Sequence, residues 1–145
     1  MSGSHKELDL MDVDERIQAW IKQCEGLKLE AYVDTRGHLT VGWGRNLENG
    51  ISQDEAEFMF QNDLARCVKE LEQYAWYQIQ PQHIKNALIN MNFNLGITKL
   101  TEFTHMISAL INKDYTTASY AALNSNWAKE VGQRAKDIAL MIRQG

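Results

Sequence analysis

The segment 82–95 constrains the fold more than any other stretch of this chain. Pro81, the only proline, suits the first turn of a helix there, and Gly96 suits its end. Ile84, Leu88, Met91 and Leu95 recur along one stripe, while Ile89 and Phe93 make other sides apolar too. A helix that is apolar around much of its girth belongs inside a protein, so the rest of the chain must supply elements that cover it.

Most of those elements are also helical by their spacing. A first helix is expected from about Val13 to Cys24, with Val13, Ile17, Trp20, Ile21 and Cys24 on one face and Asp12 or Asp14 as its cap. Ser52-Gln53-Asp54-Glu55 forms a capping box that opens a long helix. That helix carries Phe60, Leu64, Cys67, Val68 and Leu71 on one side and is expected to reach the Tyr74–Tyr77 region. Helices near 101–111, 115–124 and 132–143 complete the chain, with Asp114 capping the second.

Sheet signal is confined to residues 31–44. Leu39, Val41 and Trp43 alternate with Thr40, Gly42 and Gly44, and Thr35-Arg36-Gly37-His38 supplies the turn before them. Asn49-Gly50 makes a further turn. Glycine weakens a strand, so Gly42 and Gly44 point to a close approach of backbone to a packed helix or to a ligand. The expected fold class is therefore α+β and mainly helical: a small antiparallel β-hairpin or sheet in an N-terminal lobe, a helical C-terminal lobe, and a long helix joining them. The expected boundaries are a disordered tail at 1–12 and a single domain at 13–145. Within it, 13–51 form a helix plus small sheet, 52–78 the connecting helix and 79–145 the helical lobe. A cleft between two such lobes is where a substrate would bind.

Composition removes several classes of function. The formal charge is −4 and no Lys/Arg cluster is present, which excludes nucleic acid as the main partner. No apolar stretch is long enough to cross a bilayer and no charged-then-apolar leader opens the chain, so the cytoplasm is the expected starting compartment. Cys24 and Cys67 make neither a disulfide framework nor a metal site; each sits among apolar residues at helical spacing and is expected to be a buried free thiol. His38 and His83 lie at no metal-site spacing with other ligands and are read as surface or turn residues. No metal and no cofactor is expected.

Two carboxylates remain as candidates for chemistry. Glycoside hydrolysis needs one carboxylic acid to protonate the leaving oxygen and a second carboxylate across the sugar, in different environments. Glu25 follows the last apolar position of the first helix, a place where partial burial would keep it protonated. Asp34 stands beside a polar turn, able to accept backbone hydrogen bonds and to stay anionic. Thr40 returns along the next strand with a hydroxyl that can hold a water. With nineteen acidic residues in the chain, such a pair is common by chance, and spacing alone leaves the choice open.

The run Cys24-Glu25-Gly26-Leu27-Lys28-Leu29-Glu30-Ala31-Tyr32-Val33-Asp34-Thr35-Arg36-Gly37-His38-Leu39-Thr40-Val41-Gly42-Trp43-Gly44 resembles the phage-type lysozymes of glycoside hydrolase family 24, which include the T-even phage enzymes. Their pattern of E-G, A/I-Y-x-D-x-x-G and T-x-G-x-G is present in register. The likeness continues through 51–57, 87–96 and 132–136, covering roughly residues 13–143. It implies a lysozyme-like two-lobed fold and an endolysin-type muramidase. Such an enzyme cleaves the β-1,4 bond between N-acetylmuramic acid and N-acetylglucosamine of bacterial peptidoglycan, causing lysis.

By position, the resemblance makes Glu25 the general acid, Asp34 the second catalytic carboxylate and Thr40 the residue at the nucleophilic water. It implies inversion, with a water between carboxylates roughly 6.5–9.5 Å apart. Arg134 matches an arginine near the catalytic glutamate, where its charge would favour the ionised form; a solvated helix residue is the other reading. Phe93 and Asn94 match substrate-binding positions, and read equally as core or as a helix-end cap. Trp127 is read as core, and Trp76 and Tyr77 as loop packing with an interlobe surface as the alternative.

The resemblance also implies a monomer whose partner is the glycan strand, with no membrane insertion. It implies release from the host cytoplasm to the periplasm and cell wall once the membrane is permeabilised. A lytic transglycosylase and a silent peptidoglycan-binding domain are the competing readings. Three departures stand out: Arg45 where the family carries histidine, only Arg45–Ile51 between hairpin and long helix, and an acidic balance where many relatives are basic.

Overall fold

The computed structural model describes residues 14–144. The expected tail at 1–12, Val13 and the alternative cap Asp12 lie outside the described residues. The chain groups into two compact units, one up to Phe58 and one from Met59 onward. The mainly helical α+β class expected from the sequence is what the described residues form, with a three-stranded antiparallel sheet near the start and helices after it.

The first unit begins with α1 (Glu15–Glu25), started by Asp14, whose side chain accepts from the Arg16 amide. The sheet follows in the order β1 (Lys28–Val33), β2 (Leu39–Gly42) and β3 (Arg45–Asn46). Val33 faces Leu39 and Tyr32 faces Thr40, and an irregularity in β1 then brings Lys28 opposite Gly42. Thr40 pairs with Asn46 and Val41 with Arg45 on the other side. Trp43 and Gly44 do not extend β2 as the alternation suggested; they form the turn into β3. Gly42 and Gly44 both take left-handed φ, +70° and +76°, which ends the strand and reverses the chain.

No residue of α1 is buried, and Trp20 is 63% exposed. Cys24 is exposed as well, so the expectation of a buried thiol holds for Cys67 and fails for Cys24. The reason is supply: Thr40 is the one buried residue described before Met59, and so small an assembly has too little apolar surface to enclose a helix face.

After the sheet, α2 spans Gln53–Glu72. The capping box at its start is formed as expected, with the Ser52 amide donating to Glu55 Oε1 at 2.8 Å and the Glu55 amide to Ser52 Oγ at 3.1 Å. The helix stops at Glu72 instead of reaching residues 74–77. Tyr74 is extended, and a short α3 (Ala75–Gln78) turns Tyr77 into the core. Gln80 fixes that excursion: its buried amide donates to the Trp76 and Leu110 carbonyls and accepts from the Tyr115 hydroxyl. Trp76 and Tyr77 are thus core-packed helix residues and not loop packing.

In the second unit α4 (Gln82–Leu95) buries Ile84, Ala87, Leu88, Met91 and Asn92, as its apolar girth requires. Pro81 caps it one position earlier than expected, and Gly96 at φ +87° closes it. The expected helix near 101–111 is α6 (Thr104–Ile111), preceded by a short α5 (Ile97–Leu100) outside the expected range. Next come α7 (Tyr115–Leu123), capped by Asp114, and α8 (Asn126–Val131), which the periodicity did not reveal and which Ser125 caps. The last, α9 (Gln133–Arg143), packs on α7 and α4. One face of α9 shows how burial sets stability. Ile138 is 3% exposed and Leu140, two residues on, 56%. Ile138→Ala should lower unfolding free energy by about 3 kcal/mol and Leu140→Ala by no more than about 0.5 kcal/mol, read from urea denaturation midpoints.

Candidate active site

Glu25 is the last residue of α1. Gly26, at φ +71°, ends the helix and donates its amide to the Lys22 carbonyl at 2.8 Å. The Glu25 carboxyl then lies against the turn that joins β2 to β3. A Cβ built on Gly44 would come within 2.9 Å of Glu25 Cδ and 3.4 Å of Cγ, so only glycine admits the carboxyl there. One turn back, Lys22 Nζ stands 4.3 Å over the Trp43 ring, a cation–π contact beside the same turn. The partial burial expected for Glu25 is not seen. The residue is exposed, because the group it rests on has no side chain to cover it.

Asp34 opens the hairpin turn. Its Oδ1 accepts the amides of Arg36 at 2.9 Å and His38 at 2.8 Å, and its own amide donates to the His38 carbonyl at 2.9 Å. The His38 amide holds the carboxyl below the usual Asp range. Partial burial opposes it, and the Arg36 amide and the nearby charges of His38 and Arg36 add to the lowering. Thr40 is 2% exposed and its hydroxyl donates to the same His38 carbonyl at 2.8 Å. The main chain of His38 therefore ties Asp34 and Thr40 together inside one hairpin. The His38 ring points elsewhere, to Glu48 at 2.9 Å, and that carboxylate raises its pKa.

Arg45, one of the departures from the resembled pattern, pairs with Glu55 at 2.8 Å. Glu55 also serves the capping box, so one carboxylate joins β3 to the start of α2. Its pKa falls to about 2 through the Arg45 bond first and the Ser52 amide second, against slight burial. A depressed carboxylate stabilises the fold above its unfolded pKa of 4.5 and loses that contribution as pH falls toward 2. Lowering pH from 5 to about 2 should therefore reduce the denaturation midpoint of wild type more than that of Glu55→Gln. The gap should shrink in high salt, since the pair is exposed.

The other expected site residues lie in the second unit. Phe93 is partly exposed and its ring meets Phe60 at 5.6 Å. Asn94 is exposed and neither core nor cap; its Oδ1 accepts from the Trp127 indole at 2.8 Å. Trp127 is core, as expected, edge-on to Phe103. Arg134 is exposed, its Nε donating to Asn90 Oδ1 at 2.9 Å. A groove of about 840 Å³ in this unit is lined by Phe103, Tyr120 and Trp127 among others, and none of Glu25, Asp34 or Thr40 lines it. Among the described residues no cluster of side chains is arranged to hold a metal ion, and no helix is long and apolar enough to cross a membrane. His83 departs from a plain surface role, since its Nε2 is buried. Reading the sequence alone missed Lys22 and Trp43; the two unusual glycines were the signal that a close approach lay nearby.

The phage lysozyme family model matches residues 22–144. An endolysin of Acyrthosiphon pisum secondary endosymbiont phage 1 is 30% identical over 92% of this chain and 93% of its own length. A probable T4-type lysozyme of Dictyostelium discoideum is 26% identical over 89% of this chain and 94% of its own length. The pre-baseplate central spike protein of Enterobacteria phage T4 is 24% identical over 86% of this chain, which spans 27% of that longer protein. The matched span includes the hairpin with Asp34 and Thr40, the glutamate seated on Gly44 and all of the helical unit, and the chain belongs to the phage lysozyme family of glycoside hydrolases, whose activity implies hydrolysis of peptidoglycan.

Proposed function

We propose that this chain cleaves the β-1,4 bond between N-acetylmuramic acid and N-acetylglucosamine by direct attack of water. Glu25 gives its proton to the glycosidic oxygen as the C1–O bond breaks. Asp34 takes a proton from the water that adds to C1. The observation that carries this reading is the hairpin centred on His38. It holds Asp34 ionised, with Oδ1 committed to two amides and Oδ2 left without a partner among the described residues. The Thr40 hydroxyl has its proton on the His38 carbonyl, so toward water it acts as an acceptor and orients the attacking lone pair. A water placed in this way attacks opposite the leaving group and inverts C1.

Phe93 offers a partly exposed ring to the apolar face of a sugar. Asn94 keeps its amide N–H groups for an N-acetyl carbonyl while its oxygen serves Trp127. Arg134, steadied by Asn90, supports the acid. The protein works as a monomer on glycan strands of the cell wall. The endolysin relative favours a route from the host cytoplasm to the periplasm after the membrane is permeabilised.

Digestion of purified Gram-negative peptidoglycan, with mass spectrometry of the fragments, tests the reading. Hydrolysis gives reducing N-acetylmuramic acid ends. Fragments ending in 1,6-anhydro sugar would assign a transglycosylase instead, and binding without fragments a silent domain.

A further inference from the structure

Of the described glycines with left-handed φ, Gly44 alone has another group in the space its side chain would fill; Gly26, Gly37, Gly42, Gly50, Gly96 and Gly132 have nothing within 4 Å. We infer that Gly44 is a positioning residue for Glu25: its missing Cβ is the seat of the acid's carboxyl, and the Lys22–Trp43 contact holds the last turn of α1 over that seat. The inference rests on the assignment of Glu25 as general acid made above.

The argument is one of space. Gly42 and Gly44 are two residues apart and both take left-handed φ, +70° and +76°, so an alanine is strained at either. They differ in what the new methyl meets. At Gly42 it enters open space, and at Gly44 it comes within 2.9 Å of the Glu25 carboxyl carbon. The carboxyl is the free end of a flexible side chain, so it yields before the backbone does. The acid is displaced while the sheet persists. Glu25 has no hydrogen bond among the described residues to draw it back. Two adjacent positions of one turn thus receive two side chains from one helical turn, Glu25 on Gly44 and Lys22 on Trp43. Displacing a reacting group by about 1 Å costs on the order of 100-fold in rate.

The test compares full-length Gly44→Ala, Gly42→Ala and Glu25→Gln in release of reducing ends from peptidoglycan, with melting temperatures alongside. Gly44→Ala should lower kcat about 100-fold with KM close to wild type, and its pH–rate profile should change shape. Gly42→Ala should also lose thermal stability yet keep kcat within about threefold and the wild-type profile. If Gly44→Ala is no slower than Gly42→Ala while Glu25→Gln is inactive, the positioning role is overturned and the acid assignment stands. If folded Glu25→Gln is active, both fall. Should Gly44→Ala fail to fold, Lys22→Met decides: a kcat lowered about fivefold at unchanged KM supports the seat, and a kcat equal to wild type overturns it.

Discussion

Glu25→Gln should lower peptidoglycan hydrolysis by about 1,000-fold and leave the melting temperature unchanged. Glutamine keeps the shape of the side chain and the space on Gly44, and it cannot give a proton to a leaving oxygen. The structure makes the substitution a clean one. Glu25 is exposed and holds no hydrogen bond among the described residues, so nothing that stabilises the fold is lost with its charge. Turbidity loss of permeabilised Gram-negative cells, measured beside circular dichroism, checks both halves. A folded Glu25→Gln protein with near-normal lysis would end the assignment of Glu25 as acid.

Asp34 requires a pair of substitutions, because its carboxyl has two tasks. Asp34→Asn retains an oxygen for the Arg36 and His38 amides, so the hairpin should persist while kcat falls on the order of 100-fold or more. Asp34→Ala loses those bonds too and should unfold at lower temperature. Since Asp34 is held below the usual range, it remains ionised to lower pH than an ordinary aspartate. The acid-side decline in wild-type activity should accordingly lie at lower pH than the titration of an ordinary aspartate would put it. An Asp34→Asn enzyme with wild-type kcat would leave the carboxylate only its role in the hairpin.

How readily these features could be read from the sequence depended on how local their physics is. The Ser52–Glu55 box and the caps at Asp114 and Asp14 involve neighbours within four residues; the first two were readable in advance, and Asp14 was one of the two caps left open. The girth of 82–95 was equally plain, since a helix apolar on several sides has one place to go. The break at Tyr74 was hidden because it depends on Gln80 meeting Leu110, thirty residues away. Burial of Cys24 was misjudged because periodicity gives a face and not the supply of side chains to cover it. Of the candidate site, the motif around Glu25, Asp34 and Thr40 was legible through resemblance. That Arg45 would find Glu55, and that Gly44 would receive Glu25, needed the folded turn.

His38 holds Asp34 and Thr40 with its amide and carbonyl; among the described residues its imidazole bonds only Glu48, and its charge adds a smaller effect on Asp34. Any L-residue except proline offers the same two backbone groups. Position 38 is thus a point where surface charge can be altered without rewiring the hairpin. In a chain of formal charge −4, lysine at 38 together with glutamine at 48 would make the hairpin more attractive to an anionic envelope. The site's neighbourhood is in this sense separable into a fixed main-chain frame and an interchangeable outer coat, and adaptation to a new host wall can proceed on the coat alone.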